Sequence, residues 1–216
     1  LTTADDIKKT TNYLEADSDK KTAFDTALAA AQAVTNQETG GSTNDVTTDA
    51  NHVSEIKKAL DDAANALNGE ARKAAKQALQ KAHDDGESGK TTDSKYYNAS
   101  ADKKTPYDQA LTNAAETLAN NNATLADYQN AKTAIDDAYK ALDGQATNKQ
   151  ELQSRVRNAD NVRQSNDYKN ASDKARQDYE AAITAGQGVL ANDNATQAEV
   201  NTARDNIDKA KQALTT

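Results

Sequence analysis

The chain has 216 residues, of which 43 are Ala and only 26 are Leu, Ile, Val or Phe, and its formal charge is −8. So little large apolar material excludes one thick globular core and leaves either disorder or slender helical bundles, in which Ala lets helices approach closely. The absence of Cys rules out disulfides, thiolate zinc sites and thiol nucleophiles, and the acidic balance opposes a phosphate backbone, so no nucleic-acid partner is expected.

Nothing approaches the run of about 18 apolar residues that spans a bilayer, so no membrane insertion is expected. The chain starts at Leu1 without Met or a leader and ends at Thr216 without a sorting signal, which reads as a monomeric segment within a longer chain. The two histidines, His52 and His83, lie in unrelated settings and read as surface residues. No metal, cofactor or catalytic constellation is expected.

In chain order, Ala4, Ile7 and Leu14 supply a short first helix. A second helix carries Phe24 and Leu28, and a long loop is expected near 36–50, where Gly40, Gly41, Ser42, Thr43 and Asn44 cluster. Val53, Ile56, Leu60, Ala63 and Leu67 then step by three and four, the spacing of an amphipathic helix. The stripe Ala71, Ala74, Ala75, Ala78, Leu79 and Ala82 opens a second set of helices.

The run Gly86, Glu87, Ser88, Gly89, Lys90, Thr91 imitates the tail of a phosphate-binding loop. It lacks the required upstream Gly, having Asp84 in that place, and follows helix rather than strand, so it reads as a connection between helices. Pro106 is expected in the first turn of the next helix, where a missing N–H costs little.

Asn120, Asn121 and Asn122, like Asn192, Asp193 and Asn194, lack the alternating acids of a calcium loop and read as turns into capped helices. Thr196 with Glu199 forms a capping-box pattern, and Thr124 with Asp127 a weaker one. The pairs Asp61–Asp62 and Asp136–Asp137 flank seam residues and read as a solvated edge rather than an acid/base site. The third set of helices begins with Leu152, Val156, Ala159 and Val162, and continues with Tyr179, Ile183, Val189 and Leu190.

These sets are internal repeats. Tyr96 to Leu142 superposes on Tyr168 to Leu214 at an offset of 72 without a gap, with about 20 of 47 positions identical. Lys20 to Leu28 aligns with Lys103 to Leu111 at an offset of 83, and Leu60 to Gly69 with Ile135 to Gly144 at an offset of 75. The fold class is therefore all-α, tandem three-helix bundles arranged end to end as an elongated rod, with repeats at 1–68, 69–143 and 144–216. Scattering that revealed a compact globule would overturn the rod. The joints at Gly69 and Gly144 contain no Pro, so the last helix of one bundle is free to run into the first helix of the next. The Asn98 and Asn170 N-x-S sequences, and the Asn122 and Asn194 N-x-T ones, recur because the repeat recurs, and glycosylation need not be invoked.

Tyr107, Tyr179 and Phe24 occupy equivalent positions and fit a core layer, as does Tyr128 against Val53 and Val200. Tyr139 corresponds instead to Lys211 and Ala64, and Tyr97 to Lys169 and Leu14, so both are expected to be exposed. They are the candidate ligand-contact residues.

The pattern Tyr168, Ala171, Ser172, Tyr179, Ala182, Val189, Leu190, followed by Asn194 to Val200 and Ala203, Ile207, Ala210, Leu214, resembles the FIVAR module of wall-attached proteins of Gram-positive bacteria. The resemblance covers the chain as three copies, with the first departing through its short start and long loop. It implies three-helix bundles, an extracellular and cell-wall-associated location, and adhesion to fibronectin, mucin or glycan ligands, with no shared catalytic residues. A structural stalk that projects a distal domain is the alternative role.

Overall fold

The structure, a computed structural model, describes residues 2–39 and 50–216. The first repeat contains α1 (Thr2–Ile7), α2 (Thr11–Leu14), α3 (Ser18–Thr39) and α4 (Ala50–Asn65). The second contains α5 (Gly69–Gly89), α6 (Ser94–Tyr97), α7 (Ala101–Ala119) and α8 (Leu125–Ala141). The third contains α9 (Gln150–Arg157), α10 (Ala159–Gln164), α11 (Asn166–Asn170), α12 (Asp173–Ala191) and α13 (Gln197–Ala213). The fold is all-α, and no strand occurs among the described residues. The loop cluster Gly40 to Asn44 lies outside the described residues, and residues 36–39, expected in that loop, belong to the end of α3.

The chain forms two compact units, one of Leu1–Asp85 with Gln109–Asp137, the other of Gly86–Asp108 with Ala138–Thr216. In the first, Phe24 and Leu28 of α3 pack with Ala4, Ala16 and Leu67, flanked by Ile7, Tyr13 and Leu60. In the second, α9 packs on α12 and α13 and supplies Leu152 to a core of Tyr179, Ile183, Val200, Ala203 and Ile207. Burying a large side chain of this kind contributes about 1.5–3 kcal/mol, so a handful of matched positions suffices for each narrow bundle.

The expected seam is present except at Leu14, Val53, Ala71 and Ala74, which are exposed. Tyr107, Tyr128, Ile135, Leu142, Tyr179, Val200, Ile207 and Leu214 are all buried. Val53, assigned to the same layer as Tyr128 and Val200, is 38% exposed, and Leu14 is 54% exposed. Val53 stands in the first turn of α4, and Leu14 is the last residue of the one-turn helix α2.

The helix ends follow local chemistry. Thr196 accepts from the Glu199 N–H while the Glu199 carboxylate accepts from the Thr196 N–H, a complete capping box. Thr124 and Asp127 make the same reciprocal pair at α8. Asn120 and Asn192 each accept from the backbone N–H two residues on, as turn-forming side chains do. Gly86 to Gly89 form the end of α5 and Lys90 and Thr91 lie in the turn that follows, so the phosphate-loop imitation is part helix and part connection between helices.

The spacing leaves the joints open, and two further placements differ from expectation. The bundles do not run into one another through continuous helix: α4 stops at Asn65 before α5 begins at Gly69, and α8 stops at Ala141 while α9 begins at Gln150. The first helix of the third repeat is itself divided at Asn158 into α9 and α10. Pro106 lies inside α7, in its second turn rather than its first, where it has no N–H to give to the Asp102 carbonyl. The sister positions carry Ala23 and Asp178. Pro106→Ala is expected to restore one backbone hydrogen bond and raise stability by about 1 kcal/mol, measured by urea titration. A lower midpoint in the variant would contradict this.

Candidate ligand-contact surface and repeat joints

Each repeat fixes the one-turn helix ahead of its second long helix by the same device. A Tyr hydroxyl in or beside that turn donates to a carboxylate twelve residues later: Tyr13 to Asp25 at 2.8 Å, Tyr96 to Asp108 at 2.8 Å and Tyr168 to Glu180 at 3.0 Å. Each Tyr ring lies against the buried aromatic of the second helix, Phe24, Tyr107 or Tyr179, with centroids 5.6, 5.7 and 6.2 Å apart. A cation completes the arrangement, Lys8 at 3.6 Å from Asp25, Lys90 at 3.3 Å from Asp108 and Arg163 at 2.7 Å from Glu180. The constant spacing of twelve was available in the sequence.

Burial, and then the Asp108 carboxylate that accepts its proton, push the Tyr96 hydroxyl up to about 12. Arg163 and the Tyr168 hydroxyl hold Glu180 below the ordinary carboxylate value, against the opposing effect of burial. A phenol raised above its unfolded value of about 10 stabilises the folded state fully below pH 10, and that contribution is lost as pH rises toward 12. Tyr96→Phe is therefore expected to narrow the stability gap to the parent between pH 10 and 12, read by urea titrations at both ends. A gap independent of pH would contradict the assignment.

The candidate contact residues flank this device in the second repeat. Tyr139 on α8 is 38% exposed. Its hydroxyl donates to Asp93 Oδ2 at 2.8 Å, and its ring packs on Tyr107 with centroids 6.1 Å apart. Lys95 Nζ lies 4.4 Å from its centroid, a cation–π contact. Tyr139 thus serves packing as well as surface. Tyr97 is half-buried at the end of α6, where its N–H donates to the Asp93 carbonyl at 3.0 Å and its own carbonyl accepts from Lys104 Nζ at 3.1 Å. The same carbonyl contact recurs at Leu14 with Lys21 and at Lys169 with Arg176. Asp93 thus takes a side-chain bond from Tyr139 and a main-chain bond from Tyr97, and it also caps α6 through the Lys95 N–H.

Sequence reasoning missed the residues that join the repeats. At the first joint, Asp17, buried at 8% exposure, accepts from the Leu125 N–H at 2.8 Å and from Asn68 Nδ2 at 3.0 Å. Arg72 Nε stands 3.5 Å from Asp17 and donates to the Ala123 carbonyl at 2.8 Å, while its other nitrogens reach the Asn121 and Glu15 carbonyls. Its guanidinium lies 5.4 Å from the Tyr128 centroid.

At the second joint Asn98 performs a related role. Its Nδ2 donates to the Gln145 carbonyl at 2.7 Å and the Thr147 hydroxyl at 2.9 Å, and its Oδ1 accepts from the Gln197 N–H at 2.8 Å. Thr147, the equivalent of Arg72, donates to the Ala195 carbonyl at 2.7 Å. Asp143 accepts from the Ser100 N–H at 2.7 Å, which holds its carboxyl below the ordinary value.

The joint glycines are set by close approach. A Cβ on Gly144 would lie 2.7 Å from the Lys95 carbonyl carbon and closer still to two carbonyl oxygens, and Gly69 meets Thr11 and Asn12 in the same way.

His52 is exposed, whereas His83, expected at the surface, is half-buried with Nδ1 3.1 Å from Asp84 Oδ1. Among the described residues no cluster of His, Asp or Glu has metal-ligand geometry, and no helix is long and apolar enough to cross a membrane.

The FIVAR domain profile matches residues 1–68, 73–143 and 148–215. The extracellular matrix-binding protein EbhA of Staphylococcus aureus strain Mu3 is 28% identical over 214 residues, which is 96% of this chain and 3% of that protein. The extracellular matrix-binding protein EbhB of strain Newman is 29% identical over 210 residues, 96% of this chain and 2% of that protein. The chain therefore spans a few hundredths of the length of these relatives. A crystal structure of EbhA (756–1003 domain) from Staphylococcus aureus shares 25% identity, with 97% of this chain and 74% of that one covered and a TM-score of 0.28.

Proposed function

Because the chain belongs to the FIVAR family, we propose that it is a non-enzymatic repeat segment of a bacterial cell-surface adhesin, extracellular and wall-associated. In this reading it attaches to extracellular matrix or host glycans, with fibronectin, mucin or a glycan as the ligand. The observation that carries the reading is the threefold family match along a chain whose relatives are named extracellular matrix-binding proteins. The functional modules are taken as 1–68, 69–143 and 144–216, and weak binding per module gains by repetition.

Tyr97 and Tyr139 are the proposed contacts. An aromatic ring half open to solvent beside Lys95 and Asp93 offers a stacking face with a polar rim. The test is saturable binding of the chain to immobilised fibronectin, mucins and a glycan panel. Tyr97→Ser with Tyr139→Ser is expected to weaken binding about tenfold, since a contact aromatic typically contributes more than about 1 kcal/mol. Unchanged affinity in that variant removes the two residues from the proposal.

The alternative is a stalk that contacts nothing and spaces a distal domain from the wall. The hydrogen-bonded joints at Asn98 and Asp17 favour it, because a spacer needs defined junctions. Absence of saturable binding to every member of the panel would select this alternative.

A further inference from the structure

The first joint holds the chain's one Asn-Gly pair, Asn68–Gly69, and packing dictates both residues. A Cβ on Gly69 would lie 2.6 Å from the Asn12 carbonyl oxygen. Asp17 grips both polar atoms of the Asn68 side chain: Oδ1 accepts the Asp17 N–H at 2.9 Å, and Nδ2 donates to Asp17 Oδ2 at 3.0 Å. Asn before Gly is also the pair most open to ring closure, because a residue without Cβ lets its nitrogen approach the preceding side chain.

We propose that Asn68 is a self-modification site, where the amide is exchanged for a carboxylate through a cyclic imide with the Gly69 nitrogen. That nitrogen bonds to Asn68 Cγ, and Nδ2 departs as ammonia with the Gly69 amide proton. Water then adds to Cγ, which leaves Asp in an ordinary main chain, or to the main-chain carbonyl carbon, which leaves isoaspartate with the chain running through Cγ. One ammonia is lost and one water consumed, and nothing is oxidised or reduced.

The second joint carries Asp143–Gly144 at the equivalent place and is closed to this chemistry twice over. The Gly144 N–H donates to the Lys95 carbonyl at 3.2 Å, whereas no carbonyl accepts the Gly69 N–H among the described residues. The Asp143 carboxyl closes the ring only when neutral, and the Ser100 N–H holds it below the ordinary carboxylate value and so ionised. At the first joint the restraint is the grip of Asp17, since Asn68 has to release both contacts to turn back onto Gly69. Conversion therefore proceeds from the opened joint. Its product does not close in the same way, because a carboxylate at 68 faces that of Asp17 where Nδ2 donates in the parent, a pair of like charges. In the second joint Asp143 faces Ser100 instead. The inference rests on no ligand and is independent of the adhesion reading.

The test holds the full chain at neutral pH and follows residue 68 by peptide mass and by enzymatic methylation of isoaspartate, with the chain unfolded in urea as the reference rate. Conversion is expected at Asn68 and not at Asp143, and more slowly in the folded parent than in urea. Asp17→Asn keeps an acceptor for the joint but not its charge, and is expected to speed conversion of the folded chain about fivefold, the difference between a charged and a neutral hydrogen bond. Asn68→Asp, which stands for the ordinary product, is expected to speed amide exchange at Leu125 about tenfold, the equivalent of one hydrogen bond to a charged group, and to leave Gln197 unchanged. A folded parent that converts as fast as the unfolded chain, or an unchanged rate in Asp17→Asn, would overturn the proposal, as would equal exchange at Leu125 with Asn and with Asp at 68.

Discussion

Asp17→Ala is expected to lower the stability of the first compact unit by about 3 kcal/mol, because removing one partner of a buried ion pair leaves the other charge uncompensated. The Asp17 and Arg72 side chains are only 10% and 12% exposed. With Asp17 gone, the Leu125 N–H and Asn68 Nδ2 also lose their acceptor. A loss of 3 kcal/mol corresponds to roughly hundredfold faster exchange of the Leu125 amide. That amide is 108 positions away in sequence.

Asp17→Asn keeps an acceptor but not the charge and should fall between the two. The double variant Asp17→Asn with Arg72→Met, which removes the charge from both sides, should recover part of the loss. Urea titration together with exchange at Leu125 decides the matter. A change below about 0.5 kcal/mol, the ordinary surface value, would mean that the joint does not depend on this pair.

Gly144→Ala is expected to cost about 3 kcal/mol, the upper part of the range for inserting a methyl group where no room exists. The obstacle is backbone: the Ser94 and Lys95 carbonyls cannot rotate away as a flexible side chain would, and opening them breaks the 3.2 Å bond from the Gly144 N–H to the Lys95 carbonyl. The effect is steric and not conformational, since the Gly144 φ lies outside the left-handed region. Gly188 on α12 supplies the contrast. Nothing lies within 4 Å of a Cβ there, so Gly188→Ala should stabilise by about 0.5–1 kcal/mol through helix propensity alone. Paired urea titrations separate the two cases. Two variants that shift in the same direction would refute the close-approach account.

The seam was legible because large apolar residues are scarce. When Leu142, Ile135 and Tyr128 are among so few candidates, their spacing can be read without competing signals, and all three are buried. Capping at Thr124 and Thr196 was legible for the same local reason, since partners three residues apart need no knowledge of the rest of the chain. Pro106 shows the limit of local reading: helix ends shift by a few residues, and a shift of one turn moved the proline from a harmless position to one that lacks a bond.

The joints were not legible because their partners are distant and their residues ordinary. Arg72 sits in a helix rich in Lys and reads as solvated, yet its nitrogens reach carbonyls about fifty positions away. Asn98 looked like one letter of a recurring tripeptide, and its contact with Gln197 spans 99 positions. Ala123 and Ala195 are almost wholly buried, but an Ala in a chain with 43 of them carries no signal. Tyr139 was read as exposed from its Lys counterpart, and the Asp93 that anchors it lies 46 residues upstream.

The two joints differ in chemistry, one charged through Asp17 and Arg72, the other neutral through Asn98 and Thr147. This bears on how such arrays grow by gene duplication. A crossover that exchanged whole bundles would bring an Arg72-type residue against Asn98, a cation facing an amide, or leave Asp17 opposite a Thr, a buried carboxylate without its cation. Crossovers that cut within the bundles and carry each junction intact preserve both pairings. The unit that has to stay together when repeats are gained or lost is therefore the junction pair, Asp17 with Arg72 or Asn98 with Thr147, rather than the single bundle.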